Sequence, residues 1–255
     1  MSVPGIDVSK WQGEIDWNKA AESGAKFAII RAGSITNVAG TCYEDFQFQR
    51  NAELAPQVMP VGFYWYFRPN WSAVKQAEFF INLIKDKAWH IYPVIDVEEK
   101  GGQTKTRVED QVWLFLNRVS QRLETPTMIY TSPGFWNSYV ARNTWAQDIP
   151  LWVAHWNVDI PRLPYDWANH GATYTFWQTH VGQDGPEYGM GSKGLDHDVY
   201  NGDWDAFQQQ FLGEEPPPPP PPPDETMPVD DFVIEKLYPL MVEHWGYDGP
   251  RPVKD

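Results

Sequence analysis

Short strand-like segments alternate with helical segments from residue 5 to about residue 142, and this alternation constrains the fold more than any other feature. The strand candidates are brief runs rich in β-branched and aromatic residues, each bounded by Gly, Pro, Asn or Asp. Strands that are separated by helices pack in parallel through right-handed crossovers, and eight of them are enough to close a barrel. The candidates cover residues 5–8, 27–32, 61–66, 91–97, 127–131, 151–155, 173–178 and 195–199.

Capping residues and helical spacing predict the helices between the earlier strands. They cover residues 16–23, closed by Gly24; residues 44–54, which end before Pro56; residues 72–87, which open at Ser72; and residues 107–123, which follow Thr104 and Thr106. After residue 150 the helical signals weaken while strand signals continue. The sequence therefore predicts an irregular TIM-like α/β barrel over residues 1–212, with incomplete helices in its last part.

A proline run divides this barrel from a short C-terminal tail. Eight consecutive prolines, Pro216–Pro223, favour a stiff polyproline II rod, so residues 213–223 are predicted to be a linker. The tail, residues 224–255, carries apolar residues at roughly helical spacing interrupted by Pro239, and is too short for a core of its own. Two interpretations stay open: a disordered acidic tail, or a segment that docks on a protein partner, a sister subunit or the barrel itself.

Composition excludes several function classes. The net charge is −14, and seven of these charges fall in residues 214–255, a balance that argues against nucleic-acid binding. The single Cys42 excludes an intramolecular disulfide framework, and no Cys/His spacing indicates a metal site, so neither a metal nor a cofactor is predicted. The N-terminus has neither a basic n-region nor an apolar h-region, and no segment reaches the ~18 to 20 apolar residues of a membrane span. We expect no signal peptide and no membrane insertion.

The most informative motif is the run His90–Glu99, in which an apolar segment ends in two acids, Asp96 and Glu98. On a strand this spacing puts both side chains on one face. Two carboxylates held close together raise each other's pKa, which supplies a hydrolase with one protonated acid and one carboxylate. Taken alone, the motif also fits a strand that ends in a solvated acidic turn.

Further acids at strand ends favour the catalytic interpretation. Asp7 ends the first strand, and Asp196 and Asp198 fall in the last one. In a barrel the C-terminal strand ends form the site, so acids from three strands are brought to one rim. Aromatic residues make up 15% of the chain, and aromatic faces in a cleft suit the C–H faces of sugar rings.

Eight ordered segments resemble glycoside hydrolase family 25, the Chalaropsis-type lysozymes, from residue 4 to about residue 207. The segments are GIDVSKWQG (5–13), FAIIRA (27–32), GFYWY (62–66), PVIDVE (93–98), IYTS (129–132), LWVAHW (151–156), FWQ (176–178) and GLDHDVY (194–200). The resemblance implies an irregular eight-stranded α/β barrel. It also implies an N-acetylmuramidase that cleaves the β-1,4 bond between N-acetylmuramic acid and N-acetylglucosamine in peptidoglycan, as phage endolysins do.

The resemblance also implies roles for the acids. The family's catalytic carboxylates fall on Asp7, Asp96, Glu98 and Asp196, with Glu98 as the protonated general acid. Asp96 is then expected to be ionised, and to stabilise positive charge on the sugar or orient its 2-acetamido group as an internal nucleophile. Asp7 and Asp196 complete an acidic floor, and Asp198 is expected to have a more structural part.

The remaining candidates surround these acids and are expected to bind substrate. Tyr64, Tyr66 and Tyr130 would hydrogen-bond or stack on sugars, and Gln178 would contact ligand. Arg31 would hold a floor acid in a bidentate pair or form an ordinary surface ion pair. Trp152, Trp156 and Trp177 are either subsite walls or core residues, whereas Trp65 points to the opposite strand face from Tyr64 and is expected to pack.

Three function classes follow from these patterns. The first is a peptidoglycan muramidase, made in the cytoplasm and acting at the bacterial cell wall after release by a phage or aboard a virion. The second is a chitin-type glycosidase, but the family 18 motif would require acids where this chain has Ile91 and Val94. The third is a noncatalytic glycan-binding or virion structural barrel, against which the acids at all four matched positions argue.

Overall fold

The computed structural model describes residues 2–213 of the chain. Within these residues nine strands form one sheet, with helices between most of them. The strands are β1 (Val3–Val8), β2 (Ala28–Ile35), β3 (Cys42–Glu44), β4 (Val61–Tyr66), β5 (Val94–Asp96), β6 (Met128–Thr131), β7 (Leu151–Ala154), β8 (Phe176–Gly182) and β9 (Leu195–Tyr200). The helices are α1 (Trp17–Glu22), α2 (Phe48–Leu54), α3 (Ala73–Ile84), α4 (Lys105–Leu123), α5 (Pro133–Tyr139), α6 (Tyr165–Ala168) and α7 (Trp204–Phe211).

Eight of these strands close into a barrel, because β1 pairs with β2 on one side and with β9 on the other. The order around the barrel is β1, β2, β4, β5, β6, β7, β8 and β9. Strand β3 stays outside the ring as the antiparallel partner of the end of β2. The predicted irregular eight-stranded α/β barrel is confirmed.

The direction of β9 departs from the parallel arrangement that the alternation predicts. Strands β1, β2, β4, β5, β6, β7 and β8 run parallel, whereas β9 is antiparallel to both β1 and β8. A parallel return requires a crossover, usually a helix. Between β8 and β9 the chain forms only one 3-10 turn, Gly185–Tyr188, and therefore reverses.

Several predicted boundaries also shift. The strand predicted over residues 91–97 is reduced to Val94–Asp96, since Pro93 has no N–H to donate to a ladder. The helix predicted over residues 44–54 starts only at Phe48, because the preceding residues pair with β2 as β3. The last part of the barrel has incomplete helices, as predicted: α6 is four residues long.

The two faces of the strands form two separate apolar clusters. Residues facing outward, such as Ile30, Trp65 and Val153, pack with the helices. Residues facing inward fill the barrel, where Phe27, Val94 and other apolar side chains form the lower layers. Side chains alternate between the two faces of a strand, so every second residue points into the barrel. Toward the C-terminal strand ends these inward residues are polar: Asp7, Arg31, Tyr66, Asp96 and Gln178. The barrel interior is therefore apolar toward the N-terminal ends of the parallel strands, which we call the lower end, and polar toward their C-terminal ends.

Helix α7 closes the lower end of the barrel. It follows the reversed strand β9, so it begins beside the N-terminal ends of the parallel strands. Its Phe207 ring lies 5.6 Å from that of Phe27, and its Phe211 ring lies 5.6 Å from that of Phe176. These packed aromatic rings exclude water from the lower end of the barrel, beneath the polar layer.

Within residues 2–213 no helix is both long and apolar enough to cross a membrane. The predicted polyproline run and the predicted tail, residues 224–255, lie outside the described residues. Their roles as linker and docking segment stay predictions.

Gly5 provides the first test of this fold. A methyl group at Gly5 would lie 2.3 Å from the Phe27 ring, whereas one at Gly134, in α5, meets nothing within 4 Å. We expect Gly5→Ala to lower the free energy of unfolding by about 1 to 3 kcal/mol through overpacking of the barrel floor. Gly134→Ala, measured beside it by urea denaturation, should be neutral or stabilising because alanine favours helix. Equal stability of the two variants would contradict the tight contact.

Candidate active site

A cleft of about 250 Å³ opens at the C-terminal ends of the parallel strands. All of the predicted site residues except Asp198 and Trp177 line it. The lining residues are Asp7, Ser9, Trp11, Gln12, Arg31, Tyr64, Tyr66, Asp96, Glu98, Tyr130, Trp152, Trp156, Gln178 and Asp196. A shallower groove of about 350 Å³ lies at the opposite end beside Tyr174 and Asn201, away from this carboxyl cluster. The cleft at the barrel mouth is therefore the candidate site.

The antiparallel pairing of β1 with β9 brings together acids from the two ends of the barrel sequence. Asp7 lies directly opposite Asp196. Asp198 lies opposite Gly5, two residues further into the barrel. Asp7 and Asp198 are buried, while Asp196 is partly exposed in the cleft. The Trp152 indole N–H donates to Asp198 Oδ1 over 2.7 Å. Asp198 thus lies beneath the cleft and outside its lining, and its structural role stays a prediction.

Burial is the main cause of the abnormal acidity of these groups. Burial, together with the charges of Asp198 and Asp196, raises the pKa of Asp7 well above its usual range. Burial raises the pKa of Asp198 to about 8, against the hydrogen bond from Trp152. Close contact between the two side chains raises the pKa of Asp7 and lowers that of Asp198. Burial also raises the pKa of Asp196, although His197 opposes it.

Asp96 and Glu98 share one face but differ in depth. Asp96 ends β5 and is buried, whereas Glu98 stands exposed at the rim. Burial and the charge of Glu98 raise the pKa of Asp96 well above its usual range, and Arg31 opposes this shift. Partial desolvation raises the pKa of Glu98, while Tyr66 and Arg31 lower it. The larger rise in pKa at Asp96 differs from the expectation that Asp96 is ionised, and its cause is the deeper burial of Asp96.

Arg31 forms neither of the two ion pairs expected for it. Among residues 2–213 no carboxylate lies within 4.0 Å of its guanidinium group. The group lies over the Tyr66 ring instead, 4.7 Å from the centroid, and Nη2 donates to the Tyr43 hydroxyl over 3.5 Å. Arg31 therefore acts on Asp96 and Glu98 through its charge, which favours their ionised forms.

The tyrosines occupy inward positions around the acids. Tyr64 and Tyr130 are buried, and Trp152 packs edge-on against both of them. The Tyr66 hydroxyl is within hydrogen-bonding reach of both Glu98 and Glu99. Tyr66 is the most accessible of the three, so it is the best placed of them to meet a sugar at the rim.

Gln178 is occupied by protein groups and does not have the free amide expected of a ligand contact. Its Oε1 accepts from the Tyr130 hydroxyl and from the Trp156 indole N–H, each over 2.8 Å. Its Nε2 donates to Asp7 Oδ2 over 2.7 Å. The side chain is only 3% exposed.

The tryptophans divide between wall and core. Trp156 is 49% exposed and lines the cleft, which suits a subsite wall. Trp152 is buried and forms part of the floor rather than a wall. Trp177 faces away from the cleft and donates its N–H to His155 O, and Trp65 packs outside the barrel against Phe79 and Phe80.

Sequence reasoning missed one side of the cleft, formed by Ser9, Trp11 and Gln12. These residues follow β1 in a 3-10 turn that Ser9 and Gln12 cap reciprocally. Trp11 is 70% exposed at the mouth of the cleft, which Trp156 also lines. The sequence did contain a signal for these residues, since the S-K-W-Q run begins two residues after Asp7, at the end of a strand.

The raised pKa of Asp198 should make the free energy of unfolding depend on pH. The unfolded carboxyl loses its proton near its ordinary pKa of 3.8, whereas the folded one keeps it up to about pH 8, so the native state binds more protons between these values. Stability therefore falls as pH rises through this window. Asp198→Asn cannot ionise and should reduce that slope by up to about 1.4 kcal/mol per pH unit.

Urea denaturation at pH 5 to 8 measures this slope. The exposed Asp159→Asn serves as the control and should leave the slope unchanged. Wild-type stability that rises steadily over this range would contradict the burial of protonated carboxyls.

Comparison with known proteins shows the family of this chain. The model of the glycosyl hydrolases family 25 matches residues 6–184. The chain is 33% identical to Lysozyme M1 of Streptomyces globisporus over 190 residues. This match covers 69% of this chain and 61% of that protein. It therefore spans less than two thirds of the length of that relative. It is also 28% identical to an N,O-diacetylmuramidase of Arthroderma benhamiae, over 82% of this chain and 86% of that one.

Solved structures show the same fold. The crystal structure of a bacterial lysozyme from Streptomyces coelicolor matches with a TM-score of 0.68 and 28% identity, covering 82% of this chain and 97% of that one. The family match extends over most of the barrel, from β1 to the loop after β8. This chain belongs to glycosyl hydrolase family 25.

Proposed function

We propose that this chain is a peptidoglycan hydrolase, an N-acetylmuramidase that cleaves the β-1,4 bond between N-acetylmuramic acid and N-acetylglucosamine. The observation that carries the proposal is the cluster of carboxyls with raised pKa values at the mouth of the barrel. Glycoside hydrolysis needs one carboxyl that is protonated and one that is not. The names of the related lysozyme and muramidase support peptidoglycan as the substrate. Its place of action is then the bacterial cell wall.

Glu98 is the proposed general acid. Its exposure at the rim lets it reach a glycosidic oxygen, which the buried Asp96 cannot do. The charge of Glu98 raises the pKa of Asp96, so ionisation of Glu98 opposes ionisation of Asp96. A sugar bound over the rim removes water from Glu98, and this desolvation favours holding the proton at Glu98.

Asp96 then becomes the carboxylate beneath the sugar. Arg31 favours its charged form, and its position at the end of β5 supports a role facing the reacting ring. We propose that it orients the 2-acetamido group of the substrate as internal nucleophile, which gives retention. Asp7 and Asp196 hold substrate groups and adjust the acidity of the cluster, with Asp198 supporting Asp7 from below.

The sugars are proposed to bind between the aromatic side chains of the rim. Trp156 and Trp11 present accessible faces on the cleft, and Tyr66 offers both a ring and a hydroxyl. Sugar rings stack their C–H faces on such surfaces. Tyr64, Tyr130 and Trp152 form the floor against which the bound ring rests.

The tail, residues 224–255, is proposed to dock a protein partner or sister subunit rather than to take part in catalysis. The apolar positions at helical spacing in the sequence support this role. Deleting residues 214–255 should leave hydrolysis of soluble glycan fragments unchanged and alter oligomeric state or wall binding. No change in any of these properties would remove the docking role.

Digestion of purified cell walls tests the activity itself. The chain should reduce the turbidity of Gram-positive walls, and the new reducing ends should be N-acetylmuramic acid. New reducing ends of N-acetylglucosamine, or cleavage of chitin oligomers alone, would replace the muramidase assignment with another glycosidase. Tight binding without cleavage would favour a noncatalytic barrel.

Substitution of the proposed acid is the sharpest test of mechanism. Glu98→Gln keeps the shape of the side chain and removes its proton, so we expect kcat to fall by about 10²- to 10⁴-fold with glycan binding retained. Glu53→Gln is the matched control, because Glu53 is exposed on α2 and lies outside the cleft lining. It should stay within a few-fold of wild type. Near-normal lysis by Glu98→Gln would overturn the acid assignment.

A further inference from the structure

We propose that Gln178 is a positioning residue that fixes the orientation of Asp7 and links it to Trp156 at the rim. This inference rests on the proposed muramidase function and deepens it. The structure assigns to Gln178 a role that differs from the ligand contact expected from the sequence, because its polar atoms are all engaged by side chains.

The orientation of the Gln178 amide is determined by its neighbours. Both Tyr130 Oη and Trp156 Nε1 donate to one amide atom, which must therefore be the oxygen. The two lone pairs of that oxygen are then used, and the NH₂ group is directed at Asp7. A flipped amide would place donors against the indole N–H of Trp156 and leave the carboxyl of Asp7 without an N–H partner.

The contact with Asp7 has no substitute in the site. Among the described residues, Gln178 Nε2 is the one N–H group that donates to the Asp7 side chain. The other titratable groups near Asp7 are the acids Asp198 and Asp196 and the phenols of Tyr64 and Tyr130, and none of them offers an N–H. Without Gln178 the Asp7 carboxyl would lose its N–H donor and the contact that fixes its rotamer.

The same hydrogen bonds connect Asp7 with the sugar-binding rim. Trp156 is half exposed in the cleft, yet its indole N–H is tied to Gln178 inside it. A sugar stacked on Trp156 restricts the motion of this ring. That restriction holds the Gln178 amide, and hence Asp7, in the geometry needed for reaction. Binding at the rim and alignment of the floor are thereby coupled.

Gln178→Met tests the proposal, because methionine has a similar length and no hydrogen-bonding amide. On purified cell walls or soluble glycan fragments we expect kcat to fall by about 10- to 100-fold with little change in KM. The hydrogen bond from Gln178 lowers the pKa of Asp7, so its loss should also move the ionisation limb of the pH–rate profile to higher pH. Gln183→Met, an exposed glutamine in the same hairpin, is the control and should behave like wild type.

A double-mutant cycle tests the link to the rim. Trp156→Phe keeps a stacking ring and removes the N–H donor, so it should lower kcat by a smaller factor than Gln178→Met. If the two side chains act through one set of hydrogen bonds, the double variant should be no worse than Gln178→Met alone. Fully additive losses would overturn the coupling.

Gln178→Glu keeps the test decisive if the methionine variant does not fold. Its carboxylate repels Asp7 near neutral pH, but its protonated form can donate an O–H in place of the lost N–H. Activity should therefore recover toward acidic pH relative to wild type, which a purely structural role would not produce. A raised KM with unchanged kcat and pH profile in these variants would overturn the proposal and return Gln178 to a sugar contact. Failure of the wild type to release N-acetylmuramic acid ends would instead overturn the muramidase assignment.

Discussion

The antiparallel pairing of β9 with β1 is the constraint on which this structure depends. It closes the barrel and places Asp196 directly opposite Asp7, although these residues stand near opposite ends of the folded chain. It also carries Asp198 to the buried position beside Asp7, where the N–H of Trp152 meets it. A parallel last strand would reverse the order of these acids along the barrel axis and place Asp196 below Asp198.

Burying several acids together is unfavourable for folding, and the barrel offsets this through its two apolar regions. Below the polar layer, α7 and the inward aromatic side chains form a water-excluding floor. Outside it, the helices cover the outward strand faces. This apolar surrounding is also the cause of the raised carboxyl pKa values, since desolvation is the largest contribution for each of these acids. The same apolar packing thus stabilises the fold and keeps the buried carboxyls protonated.

The sequence predicted the barrel and the acids because both leave local signals. Strand and helix alternate visibly, and Asp7, Asp96, Glu98 and Asp196 stand at strand ends. The hydrogen-bond partners of Gln178 lie 48, 22 and 171 residues away, so no local pattern reports them. The depth difference between Asp96 and Glu98 was hidden for the same reason, because burial depends on neighbouring strands rather than on spacing.

That depth difference explains how the end of β5 and the residues just after it provide two chemically distinct acids. Two residues along a strand correspond to roughly 6 to 7 Å. At the inner position Asp96 is enclosed by the barrel, and at the outer position Glu98 meets solvent. In the proposed mechanism the outer group exchanges a proton with water and delivers it to the sugar, while the inner group stays fixed beneath the substrate. A spacing of two residues is enough to give these two carboxyls the different surroundings that the proposed roles require.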